Sequence, residues 1–405
     1  MLRAYKYRLY PTKRQAQTLQ WTLDRCRELY NAALSERKDA YKYAGKSIRA
    51  DEQKHDLVEI KEVIRPEYQE IASHVLQDVL SRLDKAFKAF FRRVRNGECP
   101  GYPRFKGRNR YDSFTYPDRA GWKLDEQRRP AGKKGMVKVK LHLSKLGTVK
   151  LHLHRNIAGT IKTLTIKREG EHWYAVFTCE VGKPEDLPVS YEDVGIDLGV
   201  THFAALSNGD FIDNPRHYRR AEKRLKKLQE ALSRKKRGSH RRRKAVQAVA
   251  KAHRTIRNQR KDFLHKQSYK LVNHYQVIVF EDLQAANLIK RPKPKQDEQG
   301  NYLPNGASAK AGLNKSISDA GWAMFVQYCT YKAAWAGRTV VQVDPKYTSQ
   351  MCSGCGAVVK KTLGERWHSC ECGAEFDRDT NAAINILNLG KKQLVGGTRP
   401  TSATA

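Results

Sequence analysis

Apolar and polar positions alternate over residues 2–10, which reads as a β-strand ended by Pro11. The period then changes. Thr12-Lys13-Arg14-Gln15 has the form of a capping box, in which a hydroxyl and an amide three residues apart satisfy the first free N–H groups of a helix. Leu19, Leu23, Cys26, Tyr30 and Ala33 follow as one stripe at helical spacing. A second, polar helix is expected over 51–63, before Pro66. A third carries Leu76, Leu80, Leu83, Phe87, Phe90 and Val94 on one face. Such stripes read as the core of a helical bundle. Residues 97–110 break the pattern. Aromatics and cations alternate there between glycine and proline, a composition that suits an exposed linker or phosphate contacts and base stacking by Tyr102, Arg104 and Lys106.

Period two returns over 113–181, in short runs at 137–141, 148–153, 161–166 and 173–181. Lysines at the outward positions predict a sheet or barrel with one basic face. The first strand can belong to it, with the helices inserted between. His152-Leu153-His154 brings two imidazoles close, but no acidic third ligand or tyrosine nucleophile lies nearby, so both are read as surface residues. The polar, proline-bounded stretch 183–188 marks a domain boundary.

The second half opens on Val194-Gly195-Ile196-Asp197-Leu198-Gly199-Val200. A buried strand would carry such a run. A carboxylate inside it is costly unless it is paired or binds a metal, and glycine lets a ligand or another backbone approach. A hairpin turned at Asn208-Gly209 is expected next, then a long helical stretch over 215–275 broken at Arg237-Gly238-Ser239. Leu225, Leu228 and Leu232 give its first part a packing edge; Val246, Val249, Ile256 and Phe263 do so for the second. A buried strand over 276–280 ends in Glu281-Asp282. Residues 289–315, rich in Pro, Lys, Gly and Asn, read as mobile. Ser318-Asp319 would cap a helix running to 336, with Trp322, Phe325 and Tyr328 on it, and 339–343 is another strand. The last helix is expected from Asp379 to about Leu389, where Gly390 would end it, leaving a disordered tail over 393–405.

Charge turns these elements toward a partner. The 405 residues have room for two to four domains. Lys plus Arg is 78 against 42 Asp plus Glu, a net charge of +36. That excess implies a long polyanion, nucleic acid ahead of a membrane surface. Residues 216–261 alone hold 20 Lys and Arg against Glu222 and Glu230. At such density repulsion favours nucleic-acid contact over a merely solvated face, with Arg234, Lys235, Arg241 and Arg242 among the candidates. No apolar run approaches the length of a membrane span, and the first residues lack a signal peptide's apolar core, so a cytoplasmic, nucleoid-associated protein is expected.

Two constellations carry chemistry. Cys26, Cys99, Cys179 and Cys329 are scattered, whereas Cys352-x-x-Cys355 and Cys370-x-Cys372 cluster with fourteen residues between the pairs. Four thiolates suit a tetrahedral, structural zinc ion, with Gly354, Gly356 and Gly373 allowing tight knuckles. The second pair is C-x-C where C-x-x-C is commoner, and His368 could replace one thiolate. The other constellation is acidic. Asp197 lies in one strand, Glu281 ends another, and Asp379 opens the last helix in Asp377-Arg378-Asp379-Thr380-Asn381-Ala382-Ala383. Carboxylates so placed can converge at one sheet edge and bind two Mg²⁺ ions about 4 Å apart, one activating water and one stabilising the leaving oxygen. Asp377 and Asp379 also suit a plain helix N-cap.

In this order, G-I-D-L-G-V, V-F-E-D-L, the four-cysteine ribbon and D-R-D-T-N-A-A-I-N-I-L resemble the TnpB family, transposon-encoded RNA-guided nucleases related to type V CRISPR effectors. Tyr7-Arg8-Leu9-Tyr10-Pro11, Gly101-Tyr102-Pro103-Arg104-Phe105 and Ser318-Asp319-Ala320-Gly321-Trp322 extend the resemblance over nearly the whole chain. It implies a multidomain α+β fold. A wedge-type β-barrel would comprise 1–11 and 111–185, with a helical recognition domain at 12–110. An RNase H-like (RuvC) α/β domain would comprise 190–350 and 374–392, with a zinc ribbon at 351–373. The resemblance puts the catalytic, Mg²⁺-binding trio on Asp197, Glu281 and Asp379, the last because the family's aspartate precedes x-Asn-Ala-Ala. It implies a guide RNA from the transposon end, a double-stranded DNA target beside a short motif faced by Ser73, His74 and Gln77, and a monomeric ribonucleoprotein. The reading is an RNA-guided DNA endonuclease; a guided repressor without cleavage and an unguided transposase accessory protein are the alternatives.

Overall fold

The computed structural model describes residues 1–108, 110–125, 129–130, 137–362 and 364–396. It divides into two compact units, Met1–Gly182 and Lys183–Ala405. In the first unit, strand β1 (Leu2–Tyr10) buries Tyr5, Tyr7 and Leu9 at alternate positions and leaves Arg3 and Arg8 outside. Helix α1 (Lys13–Ala44) starts at the complete Thr12–Gln15 capping box and buries the expected stripe. Helix α2 (Ala50–Glu59) runs on into a wider turn over Ile60–Ile64 before Pro66. Helix α3 (Ser73–Arg95) buries Leu76, Leu80 and Leu83, but its stripe leaves the core after Phe87, and Phe91 and Val94 are exposed.

The strands that follow are β2 (Ser113–Tyr116), β3 (Trp122–Leu124), β4 (Arg129–Pro130), β5 (Val137–Leu143), β6 (Gly147–Leu153), β7 (Thr160–Glu169) and β8 (His172–Glu180). They form one antiparallel sheet in the order β2-β7-β8-β1-β6-β5-β3, with β4 on β5. The N-terminal strand therefore sits in mid-sheet, paired with β8 along its length and with β6 at its end. The sheet curls until its two edges nearly meet. Gly121, just before β3, lies so close to the Tyr116 ring that a Cβ would come within 2.4 Å of it, and the Tyr116 hydroxyl donates to Ser144 O at 3.1 Å. Only glycine allows that approach. His152 packs on Tyr10 and His154 on Tyr7, as aromatic neighbours.

The second unit holds a mixed sheet of five strands: β9 (Asp193–Leu198), β10 (His202–Leu206), β11 (Phe211–Asp213), β12 (Val277–Glu281) and β15 (Thr339–Val343), in the order β11-β10-β9-β12-β15. β9, β12 and β15 are parallel; β10 and β11 are the hairpin expected at Asn208-Gly209. Between β11 and β12 run α4 (His217–Ser233) and α5 (His240–His274), with Gly238 at positive φ and Ser239 capping α5. Of their expected packing edges Leu225 and Ile256 are buried, while Val246 stands exposed, because these arms extend beyond the core.

The stretch expected to be mobile contains regular structure. After α6 (Ala285–Leu288) come a hairpin of β13 (Lys295–Gln296) with β14 (Tyr302–Leu303) and helix α7 (Ala307–Ala320). Asp319 is thus no cap for α8 (Trp322–Ala336). Gly321, at φ 73°, breaks the two helices, and buried Asp319 instead accepts from Tyr218 N–H at 2.8 Å and Arg260 Nη2 at 2.7 Å. A small hairpin of β16 (Trp367–Ser369) and β17 (Glu375–Asp377) leads into α9 (Arg378–Val395). Gly390 does not end this helix. It lies inside it, where a Cβ would meet Val279 at 2.5 Å. The helix therefore takes in 393–395 with Gly396 as its C-cap, and 397–405 lie outside the described residues.

The two faces of the sheet differ. Val194, Ile196, Ile278 and Phe280 join Leu264, Leu271 and Phe325 of α5 and α8 in one core cluster. Val279, Val341 and Val343 face the other way, onto Ile386 of α9. Strand alternation then puts Asp197 and Glu281 on the α9 side.

Candidate active site and metal centre

Asp197 and Glu281 are neighbours by register. Ile196 pairs with Phe280 in the parallel ladder, so the next residue on each strand is a carboxylate, both on one face. Glu281 is buried, and its Oε1 accepts from the Thr348 hydroxyl at 2.5 Å. Asp379 stands in the first turn of α9, a helix held very close to β9. A Cβ on Gly195 would lie 2.1 Å from Ala383 O and 2.6 Å from Leu387 N, so this glycine sets the depth of α9 on the sheet. Ala382 and Ala383 are fully buried at that contact.

The two helix-start aspartates divide their roles. Asp377 is the N-cap, its Oδ1 accepting from Asp379 N at 2.9 Å and Thr380 N at 3.4 Å. Asp379 is left with its carboxylate toward Arg378 Nη2 at 3.2 Å and Arg366 Nη1 at 3.7 Å. Burial, then the charges of Glu281 and Asp379, push the Asp197 carboxyl up to about 8, with Arg378 opposing. Burial also raises Glu281, against the Thr348 hydroxyl bond. A buried carboxylate beside two others is a donor that a divalent, oxygen-seeking cation would relieve, although among the described residues the only group of three or more candidate ligands with atoms within 4.8 Å of one another is the four cysteines.

The four sulfurs of Cys352, Cys355, Cys370 and Cys372 lie within 4.8 Å of one another, with Cys352–Cys372 and Cys355–Cys370 each at 3.6 Å. Tetrahedral Zn–S bonds give sulfur separations of about 3.8 Å. Burial opposes ionisation of Cys352, yet the N–H groups of Cys355 and Gly354 and the His368 ring bring its thiol down to about 5. Cys372, despite the Ala374 N–H, is pushed up to about 12 by the neighbouring thiols. Four thiols so arranged offer one cation a closed set of soft ligands, and they fit zinc. His368 stands outside the set. It is fully buried, and its Nδ1 takes a contact from Lys361.

Residues the sequence reading passed over join the two centres. Asn381 Nδ2 donates to Met351 O at 2.8 Å, and its Oδ1 accepts from Ser353 N at 2.9 Å. Asn385 Nδ2 donates to Thr348 O at 2.9 Å and Met351 O at 2.6 Å. The segment that carries Thr348 and Cys352 is thereby tied to α9, beside Glu281 on one side and Asp379 on the other. The signal was two asparagines four apart on an otherwise apolar helix face.

The proposed nucleic-acid contacts are dispersed. His74 pairs with Asp118 at 2.6 Å, Ser73 Oγ accepts from Lys61 Nζ at 2.8 Å, and Gln77 is exposed. Tyr102 packs edge-on to Phe87 and Phe90, Arg104 is exposed, and Asn31 clamps the Lys106 backbone. Arg234, Lys235 and Arg241 are exposed on the α4–α5 turn. Arg242 is spent on that turn instead, donating to Leu232 O and Lys235 O at 3.0 Å each.

The fold is that of a multidomain α/β protein of the Cas12-like class. The Cas12f1–sgRNA–target DNA complex shares its fold at TM-score 0.57 and 15% identity, over 93% of this chain and 83% of that one. Residues 176–291 match the OrfB_IS605 family, described as a probable transposase, and 322–386 match a Cas12f1-like TNB domain. Residues 1–46 match a helix-turn-helix domain, although the structure there is β1 and one unbroken helix. A Streptomyces pristinaespiralis protein provisionally named an RNA-guided DNA endonuclease is 35% identical over 96% of this chain and 89% of its own length. InsQ of Escherichia coli (strain K12), provisionally named likewise, is 31% identical over 98% and 94%. The chain belongs to the OrfB_IS605/TnpB family.

Proposed function

We propose that the protein is an RNA-guided DNA endonuclease that cleaves through one RuvC-type site made of Asp197, Glu281 and Asp379. The observation that carries this reading is the register of the two strand carboxylates beneath the first turn of α9. The full-length relatives support the guided activity. Asp197, Glu281 and Asp379 would hold Mg²⁺, which when bound supplies Lewis-acid activation of the attacking water and of the leaving oxygen. The chain's own residues do the positioning. Thr348 fixes the Glu281 carboxylate by donating to it, Gly195 lets α9 come down on β9, and Asn381 and Asn385 lock the cysteine segment to that helix. Zinc held by the four cysteines is a structural clamp on the segment preceding Asp379.

In this reading the curled sheet (1–11 and 111–185) is the wedge barrel, 12–110 the recognition domain, and 190–350 with 374–392 the RuvC domain around the ribbon at 351–373. The guide RNA, derived from the transposon end, reads sequence by pairing, while the protein reads backbone shape and a short flanking motif. The arms at 216–261 neutralise phosphate. Asp197→Ala should abolish Mg²⁺-dependent cleavage of a guide-matched DNA while guide binding stays within about twofold. Cleavage by that variant would remove the proposed site.

A further inference from the structure

Tyr347 has φ 63°, in the left-handed region where a side chain is strained. The turn that holds it there is fixed from both sides. Lys346 N–H donates to Asp344 Oδ1 at 3.0 Å, and the Thr348 hydroxyl donates to Pro345 O at 3.1 Å. Tyr347 O accepts from Gln350 N at 3.0 Å and Met351 N at 2.9 Å, while Asn385 Nδ2 holds Thr348 O at 2.9 Å. Glycine would adopt this backbone without strain. A tyrosine there gains little from burial, because it is 64% exposed. The turn that brings Thr348 onto Glu281 thus also holds an aromatic ring in solvent beside it.

A second ring stands in the same relation to the carboxylates. Trp367 is 59% exposed and lies opposite Asp377 in the β16–β17 ladder, next to the first turn of α9. Its neighbour Arg366 places Nη1 3.7 Å from Asp379 Oδ2 and Nη2 3.4 Å from Thr201 Oγ1. Each exposed ring is therefore one residue from a side chain that touches a carboxylate. Tyr347 adjoins Thr348, which donates to Glu281 at 2.5 Å, and Trp367 adjoins Arg366. A cation accompanies each ring: exposed Lys346 beside Tyr347, and Arg366 itself, its side chain 55% exposed, beside Trp367. Open rings interleaved with cations hold an unpaired strand, the phosphates on the charges and the bases on the rings. In a duplex each base face is covered by its neighbour, so such a ring takes up only a base that has left the stack.

We propose that Tyr347 and Trp367 bind the strand being cut, each stacking on an unpaired base to one side of the phosphate that lies against Asp197, Glu281 and Asp379. This rests on the endonuclease reading, and two measurements keep the two failures apart. In the first, the full chain with Ca²⁺ in place of Mg²⁺ is irradiated with a single-stranded deoxyoligonucleotide of about twelve thymidines, some replaced by the photo-crosslinking base 5-iodouracil, which couples to stacked aromatic side chains. Mass spectrometry should find the base on the peptides that hold Tyr347 and Trp367. In the second, guide-loaded protein cuts a guide-matched DNA. Tyr347→Gly and Trp367→Ala should each slow cutting about 5- to 100-fold with target affinity kept within about twofold, and Tyr347→Phe and Trp367→Phe should restore the rate. Tyr347→Gly should at the same time melt no lower than the wild type, since glycine relieves the strained turn; a merely structural role would move stability and cutting together. Peptides left unmodified at both positions, or undiminished cutting in Tyr347→Gly and Trp367→Ala, would overturn the proposal. Crosslinks at both rings in a chain that cuts no guided target would leave the strand-binding surface standing and overturn the endonuclease reading alone.

Discussion

At the residue scale the proposed chemistry rests on three carboxylates, and they can be tested apart from one another. Glu281→Gln and Asp379→Asn should each lower the cleavage rate by at least about a thousandfold, since each removes a charged donor from the metal site. Asp377→Asn, which keeps a side-chain oxygen for the cap, should cost less than about tenfold. A cleavage assay on one matched target compares the three, and equal losses at 377 and 379 would mean that the cap and the ligand were misassigned. Thr348→Val should reduce activity or metal affinity about 10- to 100-fold, the usual cost of losing a partner that orients a metal ligand.

Asp197 also makes a pH-dependent prediction. Its carboxyl is raised to about 8 in the metal-free fold from 3.8. A raised carboxyl contributes stability that is fully present below the unfolded value and is lost as pH climbs through the folded one. Asp197→Asn, which stays neutral, should therefore match the wild type near pH 4 and melt about 2–4 °C higher near pH 8.5 without divalent ions. Thermal melts in EDTA at the two pH values read this directly; a lower melting temperature at pH 8.5 contradicts it. Mg²⁺ should raise the melting temperature of the wild type and leave the variant unmoved.

Close backbone approach governs the elements. Gly195 and Gly390 are the two points at which α9 meets the sheet without room for a methyl group. Either glycine to alanine should cost about 1–3 kcal/mol by overpacking. Gly195→Ala should also lower cleavage more than its stability loss explains, because it lifts the helix that carries Asp379. Melting temperature and cleavage rate, measured together, separate the two effects. The cysteine cluster acts on the same helix, through Asn381 and Asn385 in its first half. The chain should carry one zinc per molecule, and Cys352→Ser should release the metal and reduce cleavage with guide binding kept, because Ser353 and Met351 lose their hold on Asn381 and Asn385.

These elements also show what a sequence can carry. Strand β9, the hairpin at Asn208-Gly209, the Thr12 cap and the spacing of the cysteine pairs were legible, because alternation, turn chemistry and ligand spacing are local. What was missed depended on neighbours distant in sequence. Gly390 reads as a helix stop until Val279 is seen beneath it. Asp319 reads as a cap until Arg260 and the start of α4 reach it. Phe90 and Val94 read as core because periodicity cannot tell a packed face from one that leaves the core, and Val94 stands exposed. Thr348, Asn381 and Asn385 carry no motif of their own; only the meeting of α9 with the cysteine segment gives them a task.

At the scale of the whole molecule the governing quantity is charge. A net charge of +36, with its densest run on α4 and α5, needs a polyanion to offset its self-repulsion. Guide binding should weaken steeply with salt, and reversing Arg234, Lys235 and Arg241 to glutamate should flatten that slope. In the proposed function the carboxylate centre acts where a guide directs it, and cleavage of two plasmids by one protein charged with one RNA tests this most directly. Changing only the guide segment of the RNA should move the cut to the newly matched plasmid. EDTA or Asp197→Ala should stop the cutting in both cases. Cutting that ignores the guide, or that persists in Asp197→Ala, would contradict the proposed function.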